Sequence, residues 1–195
     1  MNVYDFDKTI YVDDCATDFY KYSIKKNPGL ALKWPKLISA YVKFRLKKIS
    51  RTELKEVLYQ YVIENKNLEN DVKNFWSKHE YKIQDWYLSQ RQEDDLIISA
   101  SPEFLIEPIS KQLGVAFIAS RLNPKTGLYD GLNCYGDEKV VRFYDEYPDA
   151  HVHEFYSDSL SDTPMARLAD RAYLVKGTQI TPWPKDVLDS DTKFD

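Results

Sequence analysis

Short aliphatic runs alternate with helical segments over the second half of the chain, and this alternation limits the possible folds most strongly. Turn residues bound each run, and the apolar residues that follow recur every three or four positions. Parallel strands need long crossover connections, which are usually helices. We therefore predict an α/β fold with a Rossmann-like parallel sheet flanked by helices. The predicted strands cover residues 96–98, 115–120, 152–156 and 171–175, and a hairpin return is predicted over 128–134.

Polar residues stand at the carboxyl ends of these predicted strands, which is where parallel sheets bind their ligands. Chance explains one such placement more easily than it explains a full set. The set therefore indicates a single site at this edge of the sheet. In chain order, its members are Asp5 and Asp7 after the first strand, Ser99, Lys139 at the start of a predicted helix, Asp158 and Asp162.

The first two members, Asp5 and Asp7, flank Phe6 directly after the brief β-leaning start of the chain. Residues two apart in an extended strand share a face, so we expect both carboxylates to point the same way. Two close negative charges repel unless a cation or a proton relieves them. A lone pair of this kind is most often a solvated acidic turn. Only the other residues at strand ends favour a functional site here.

Residues 14–90 are predicted to form an all-helical insert between the first two strands. One helix over 30–49 carries an apolar stripe and six basic residues, and another is predicted over 68–89. We therefore predict a core made of residues 1–13 and 91–195, with a helical cap at 14–90. A basic amphipathic helix can lie on a membrane surface, although packing on neighbouring helices is the commoner arrangement. The tail from Thr178 is Pro-rich and then polar, and we expect it to be partly mobile.

Composition limits the class of protein further. The 195 residues are 43% hydrophobic, which is enough for one core and a small second domain. Cys15 and Cys134 lack metal-ligand spacing, so we expect reduced thiols. Asp5 and Asp7 interrupt any signal sequence, and no apolar run is long enough to span a membrane. These features predict a cytoplasmic protein and leave peripheral membrane contact open.

Charge is distributed unevenly along the chain, although the net charge is only −4. Residues 15–91 contain 16 basic and 8 acidic residues, whereas the remainder contains 11 basic and 23 acidic residues. A basic cap facing an acidic core could hold an anionic substrate against a metal site. Solvated lysine-rich helices explain the same asymmetry equally well. Nucleic-acid binding is not favoured, because apolar residues dilute the basic ones and the chain as a whole is acidic.

Four motifs in this order resemble the phosphatases of the haloacid dehalogenase superfamily. They are Asp5-Phe6-Asp7-Lys8-Thr9, the apolar run ending at Ser99, Lys139 in Gly136-Asp137-Glu138-Lys139, and Ser157-Asp158-x-x-x-Asp162. The helical insert looks like the small cap of the phosphoserine-phosphatase-like branch. The segments around Ser99 and Asp158 are also similar to a phosphatidylglycerophosphatase-like bacterial group.

The resemblance implies a role for each of these residues. Asp5 would be the nucleophile, Asp7 the general acid and base, and Thr9 a support for the turn that carries Asp7. Ser99 and Lys139 would bind the phosphoryl oxygens. The implied cofactor is Mg²⁺, bound by Asp5, the backbone carbonyl of Asp7, and Asp158. Asp162 would not bind the metal directly but would contact metal-bound water or Lys139. The implied enzyme is a Mg²⁺-dependent phosphomonoester hydrolase that forms an aspartyl-phosphate.

The substrate is not determined by these motifs. The family's cap glutamate would correspond to Asp14, and Arg45 and Arg51 are the candidate arginine partners. Lys8 stands where many members have Gly, and Ser157-Asp158-Ser159 replaces a Gly-Asp-Gly run. These departures weaken the case for phosphoserine and leave a lipid head group or another anionic phosphorylated metabolite open. The alternative is a non-catalytic protein that binds an anionic ligand or a membrane surface, and the chain could be a monomer or a homodimer.

Overall fold

The computed structural model describes residues 1–29, 34–63, 67–123 and 125–190, apart from the side chains of Trp34, Arg51 and Tyr61. A six-stranded sheet forms its centre, in the order β3-β2-β1-β4-β5-β6. The first five strands are parallel and β6 pairs antiparallel with β5. The strands are β1 (Asn2–Tyr4), β2 (Leu96–Pro102), β3 (Ala116–Ser120), β4 (Val152–Ser157), β5 (Ala169–Lys176) and β6 (Gln179–Pro182). The predicted α/β fold is confirmed.

Helices cover both faces of the sheet. Tyr4 and Ile97 face a core shared with the helices that precede β2 and with the helix that follows it. Val3 and Phe155 face a second core shared with the helices that follow β3 and β4. The helices are α1 (Cys15–Lys26), α2 (Trp34–Arg45), α3 (Arg51–Ile63), α4 (Leu68–His79), α5 (Asp85–Gln90), α6 (Glu103–Leu113), α7 (Asp137–Glu146), α8 (Thr163–Ala166) and α9 (Lys185–Leu188).

The single helix predicted over 68–89 is wrong, because the chain breaks between α4 and α5. A short 3-10 helix, Glu80–Lys82, ends α4, and the next two residues are extended. The Gln84 backbone N–H donates to the Ile10 carbonyl at 2.8 Å, and its side-chain amide donates to the Thr9 carbonyl at 2.7 Å. This break therefore ties the insert to the turn that follows β1. The spacing of apolar residues does not reveal the break between α4 and α5, because this spacing continues through it.

The insert contains no β-strand among its described residues, as predicted. Its last helix, α5, packs on the sheet, since the Tyr87 ring lies 4.9 Å from the Tyr4 ring and the Trp86 ring 5.5 Å from the Tyr156 ring. The division into a core of 1–13 and 91–195 and a cap of 14–90 stays a prediction. None of the helices, within the ranges described above, has the length and hydrophobicity that a membrane span requires.

Two further predictions about the second half need correction. The hairpin return over 128–134 is reduced to one bridge between Leu122 and Tyr129. The Tyr129 backbone N–H instead donates to Glu56 of α3 at 3.1 Å, so this loop packs on the insert. The tail from Thr178 is more regular than expected, because it forms β6 and buries Trp183 in the second core. Residues 191–195 lie outside the described residues.

Candidate active site

Lys139 joins two carboxylates at the carboxyl edge of the sheet. Its ammonium lies 2.7 Å from Asp5 Oδ1 and 2.7 Å from Asp162 Oδ2, and all three side chains are buried. Asp5 directly follows β1, where its backbone N–H donates to the Tyr156 carbonyl of β4 at 2.8 Å. Lys139 lies in the first turn of α7, which follows a left-handed Gly136 with φ 59°. Three distant segments therefore meet in one charged cluster, as the strand-end argument predicts.

This cluster contains more carboxyl groups than ammonium groups. Burial raises the pKa of Asp5 to about 8; the Lys139 ammonium opposes this change, and Asp162 and Asp158 add to it. Burial also raises the pKa of Asp158, with Lys8 and Lys139 opposing and Asp162 adding. The pKa of Lys139 is raised despite its burial, because two carboxylates surround it, so we take the ammonium to be charged. One lysine does not neutralise three neighbouring carboxyl groups.

The chemistry of these donors fits Mg²⁺. Mg²⁺ prefers oxygen ligands, and Asp5, Asp158 and the carbonyl of Asp7 supply only oxygens. Asp162 Oδ1 is buried and has no hydrogen-bond partner among the residues that the structure describes. An unpaired buried carboxylate oxygen is costly, and a nearby cation or its bound water would relieve it. The close grouping of carboxyl groups and the unpaired oxygen both favour a divalent cation here.

Asp7 has a different environment from Asp5. Its Oδ1 accepts a hydrogen bond of 2.6 Å from the Cys15 backbone N–H at the start of α1, and its Oδ2 accepts one of 2.5 Å from the Ser101 hydroxyl. Burial, followed by the charge of Asp14, raises the pKa of Asp7, and these two hydrogen bonds oppose the rise. A carboxyl group with a raised pKa that is fixed in orientation suits proton transfer near neutral pH.

Thr9 and Ser99 contact the residues around these carboxylates. The Thr9 hydroxyl donates to Asp5 Oδ2 at 3.3 Å, and its carbonyl accepts from Gln84 as described above. Thr9 therefore touches the candidate nucleophile directly, whereas the resemblance implied a support for the Asp7 turn. Ser99 lies buried in β2, and its hydroxyl oxygen accepts from the Ser101 backbone N–H at 3.0 Å. The strand continues three residues beyond Ser99, so both serines lie at its carboxyl end.

Lys8 occupies a strained position between Asp7 and Thr9. Its φ is 59°, in the left-handed region that glycine adopts most easily. Its backbone N–H donates to the Asp13 carbonyl at 2.9 Å, which closes the loop before α1. The side chain is exposed, and its positive charge opposes the rise in the pKa of Asp158. The loop geometry therefore favours glycine, whereas the charge of the lysine acts on the site.

The insert also reaches the site through α3. Lys55 donates to the Ala100 carbonyl at 3.2 Å, between the two serines of β2. Tyr59 is buried beside the loop after β3, with its ring 6.2 Å from that of Tyr129. A Cβ on Gly127 would come within 2.7 Å of the Gln60 backbone, so this loop approaches α3 as closely as glycine allows.

The three cap residues predicted to face the substrate have different surroundings. Asp14 is the N-cap of α1, and its side chain accepts from the Thr17 backbone N–H at 2.7 Å. Arg45 is exposed at the end of α2, and within the described ranges it makes no hydrogen bond or ion pair with the catalytic cluster. The Arg51 side chain lies outside the described residues. Their substrate contacts stay predictions.

Sequence reasoning missed the contacts of three residues at or beside the site. Ser101 binds Asp7, Ser157 donates to Asp162 Oδ2 at 2.7 Å, and Lys55 reaches the β2 backbone. The two serines had a usable signal, because each lies at the carboxyl end of a predicted strand. Lys55 had none, since it is one of many lysines on a predicted helix.

Comparison with known proteins agrees with this geometry. Residues 3–167 match the family model of the haloacid dehalogenase-like hydrolases. The chain belongs to this family. The prediction of a haloacid dehalogenase-type enzyme is therefore confirmed, and the matched range includes every residue of the cluster. No curated protein sequence matches the chain significantly.

Solved structures share the fold at low sequence identity. A protein of unknown function from Bordetella pertussis Tohama I is 16% identical, with a TM-score of 0.72, over 88% of this chain and 87% of that one. A phosphoserine phosphohydrolase-like protein from Francisella tularensis is 16% identical, with a TM-score of 0.53, over 88% and 86%. A phosphoserine phosphatase solved with an analogue of its phospho-aspartyl intermediate is 13% identical, with a TM-score of 0.51, over 87% and 83%. The chain thus shares its fold with a phosphoserine phosphatase and with a phosphoserine phosphohydrolase-like protein, as the motifs predicted.

Proposed function

We propose that this protein is a Mg²⁺-dependent phosphomonoester hydrolase that acts through an aspartyl-phosphate on Asp5. The observation that carries the proposal is the buried Lys139 ammonium, which lies 2.7 Å from Asp5 and 2.7 Å from Asp162. Phosphoryl transfer requires a positioned nucleophile and positive charge near the transferred oxygens. The cluster supplies both at the edge of the sheet where ligands bind.

Asp5 is the proposed nucleophile. A carboxylate oxygen of Asp5 attacks phosphorus, and the bond from phosphorus to the leaving oxygen breaks. Thr9 and Lys139 each bind one oxygen of the Asp5 carboxylate, which limits its rotation. When bound, Mg²⁺ would offset the negative charge of the phosphoryl oxygens and of the carboxylates around them. Ser99 and Lys139 are the proposed protein donors to the phosphoryl oxygens.

Asp7 is the proposed acid and base. It gives its proton to the leaving oxygen in the first step and takes a proton from the attacking water in the second. The second step releases inorganic phosphate and restores the Asp5 carboxylate. The raised pKa of Asp7 supports the protonated starting form, with burial as the main cause. Ser101 and the Cys15 N–H keep the carboxyl group oriented throughout.

Three variants test the proposal with p-nitrophenyl phosphate and Mg²⁺. Asp5→Asn is expected to abolish turnover, because an amide cannot attack phosphorus. Asp7→Asn is expected to accumulate a phosphorylated protein that mass spectrometry detects, because p-nitrophenolate leaves without an acid while hydrolysis still needs a base. Asp149→Asn is the matched control, since this exposed carboxylate lies outside the cluster. Wild-type protein without Mg²⁺-dependent activity on a panel of phosphoesters would refute the proposal.

We further propose an anionic phosphorylated substrate of the lipid head group kind, with peripheral contact of α2 on an anionic membrane. Asp14 caps α1, so its carboxylate is already engaged and suits the amine of phosphoserine poorly. Ile38, Tyr41 and Val42 on α2 and Leu46 just after it are 59%, 54%, 47% and 61% exposed. Leu37 and Ala40 of the same helix are buried, so they form its inward face.

Basic residues accompany this exposed apolar face. Residues 34–50 contain five basic residues and no acidic one, in a chain whose net charge is −4. Exposed apolar groups beside lysines favour an anionic lipid surface, which offers both a hydrocarbon boundary and negative charge. Because α2 packs on α3, and α3 contacts β2 beside the site, docking through α2 would hold the site near the lipid.

Two measurements test the lipid proposal separately from catalysis. Specificity constants are expected to favour phosphatidylglycerophosphate over phosphoserine, and equal or better activity on phosphoserine would reject the lipid substrate. Co-sedimentation with anionic vesicles is expected for wild type and for Asp5→Asn, and is expected to fall in Ile38→Ser. Equal sedimentation with neutral and anionic vesicles would reject the docking surface. Persistent vesicle binding by a protein without any phosphatase activity would favour the non-catalytic alternative.

A further inference from the structure

Two of the three histidines lie together at the other end of the sheet from the candidate active site. His151 immediately precedes β4 and His153 is its second residue, whereas Asp158 follows the last residue of the same strand. At about 3.3 Å per residue, His153 and Asp158 are roughly 16 Å apart along the strand. The histidines therefore belong to a separate region of the surface.

The strand arrangement brings a carboxylate to these histidines. Residues two apart in an extended chain point to the same side, which applies to His151 and His153. The β4–β5 register pairs Val152 with Ala169 and Glu154 with Arg171, so His153 lies opposite Asp170. Neighbouring Glu154 is paired with Arg171 at 2.8 Å, which leaves Asp170 as the acid beside the imidazoles.

The distances within this group fit a metal tetrahedron. Asp170 Oδ2 lies 2.9 Å from His151 Nε2 and 3.4 Å from His153 Nδ1, and all three ligand atoms lie within 4.8 Å of one another. Two ligands of a tetrahedral zinc site are about 3.3 Å apart, because each bond is about 2.0–2.1 Å long. A small shift of one ring would bring all three atoms to a common centre.

We infer that His151, His153 and Asp170 form a binding site for a divalent transition metal of the Zn²⁺ type. Imidazole nitrogens suit Zn²⁺, Ni²⁺ and Cu²⁺, whereas Mg²⁺ prefers an all-oxygen set. The side chains are 62%, 60% and 52% exposed, so the site is open to the ion, and water can complete the coordination. The bound metal joins β4 to β5 and stabilises the folded protein.

The metal site and the proposed Mg²⁺ site differ in ligand chemistry, and the test uses this difference. Isothermal titration calorimetry measures Zn²⁺ binding to the full chain in excess Mg²⁺, which occupies oxygen-only sites. Wild type is expected to bind one Zn²⁺, and His153→Gln and Asp170→Asn are each expected to weaken binding about 10–100-fold or more. Thermal unfolding provides a second readout, because a ligand of the folded state raises the Tm.

His79→Gln is the matched control, because this third histidine lies at the end of α4, where Nδ1 is 2.8 Å from the Phe75 carbonyl. It is expected to keep wild-type Zn²⁺ affinity and the same Zn²⁺-dependent rise in Tm. Zn²⁺ affinity that is unchanged in the double variant His151→Gln/His153→Gln would overturn the inference. So would a wild-type protein that binds no Zn²⁺ while Mg²⁺ is in excess.

Discussion

Replacing Lys47 with glycine should stabilise the protein, although glycine usually destabilises. Lys47 and Lys8 are the only described non-glycine residues with positive φ, and Lys47 has φ 55°. Lys47 terminates α2: its N–H donates to the Phe44 carbonyl at 2.9 Å, and the Lys48 N–H donates to the Lys43 carbonyl at 2.8 Å. These two bonds are those of a Schellman motif, whose left-handed residue is usually glycine.

The size of the effect follows from two opposing terms. A residue with a Cβ in the left-handed helical region costs about 1–2 kcal/mol. Glycine removes this strain but loses about 0.5–1 kcal/mol through the greater entropy of the unfolded chain. The expected gain in unfolding free energy is therefore about 0.5–1 kcal/mol, and for a chain of 195 residues this corresponds to a rise in Tm of about 1–4 °C.

Urea unfolding followed by circular dichroism would measure this gain. Two neighbouring substitutions separate backbone strain from the loss of the lysine side chain. Lys47→Ala removes the charge but keeps the Cβ, so it should give no gain. Lys48→Gly adds glycine where φ is not positive, so it should lower the unfolding free energy by about 0.5–1 kcal/mol. A destabilised Lys47→Gly, or one equal to Lys47→Ala, would refute the strain argument.

The same substitution bears on the proposed membrane contact. Lys47 is exposed beside the apolar face of α2, and one basic residue near an anionic surface contributes about 1 kcal/mol of binding. Lys47→Gly should therefore bind anionic vesicles about five-fold more weakly while it unfolds at a higher temperature. Improved stability together with unchanged vesicle binding would mean that Lys47 does not contact lipid.

Three further predictions concern the catalytic cluster. Lys139→Met should lower the unfolding free energy by about 3–5 kcal/mol, because two buried carboxylates lose their cation; a loss below about 1 kcal/mol in urea unfolding would contradict this. Lys8→Gly should raise the unfolding free energy by about 0.5–1 kcal/mol, because it relieves the strain of a positive φ. It should also raise KM for phosphoesters, because it removes a positive charge near the site. An unchanged KM would show that the charge of Lys8 does not act on the substrate. Ser101→Ala removes the hydroxyl that orients Asp7, and it should lower kcat for alkyl phosphates about 10-fold more than kcat for p-nitrophenyl phosphate. The reason is that only the alkoxide leaving group needs a proton from Asp7. Equal losses of kcat would argue against this acid role.

Much of the fold could be predicted because local patterns agree with tertiary structure here. Strand and helix periods predicted the parallel sheet, and polar residues at strand ends and at one helix start predicted that Asp5, Lys139 and Asp162 meet. Two errors share a cause. The break at Gln84 and the packing of Tyr129 on α3 depend on contacts between distant segments, which local periodicity does not encode.

The outward face of α2 shows the same limit at a surface. An apolar stripe indicates only that residues share a side of a helix, and both Leu37 and Ile38 fit that description. The packing of α2 on α3 decided that Leu37 is buried and Ile38 exposed. Likewise, the alternation in His151-Val152-His153 is visible in the chain, whereas the approach of Asp170 depends on the β4–β5 register.

By itself, the sequence determined the fold class, the family and the chemical types gathered at the candidate site, because periodicity and motif spacing are local properties. Only the tertiary structure decided which atoms touch. It paired Lys139 with both Asp5 and Asp162, gave Asp7 the Ser101 hydroxyl, and left Asp162 Oδ1 without a described partner. The physical reason is that hydrogen bonds and ion pairs form or fail with differences of a few tenths of an ångström in the distance between side chains. These side chains come from distant segments, so their distances are fixed only when the chain packs.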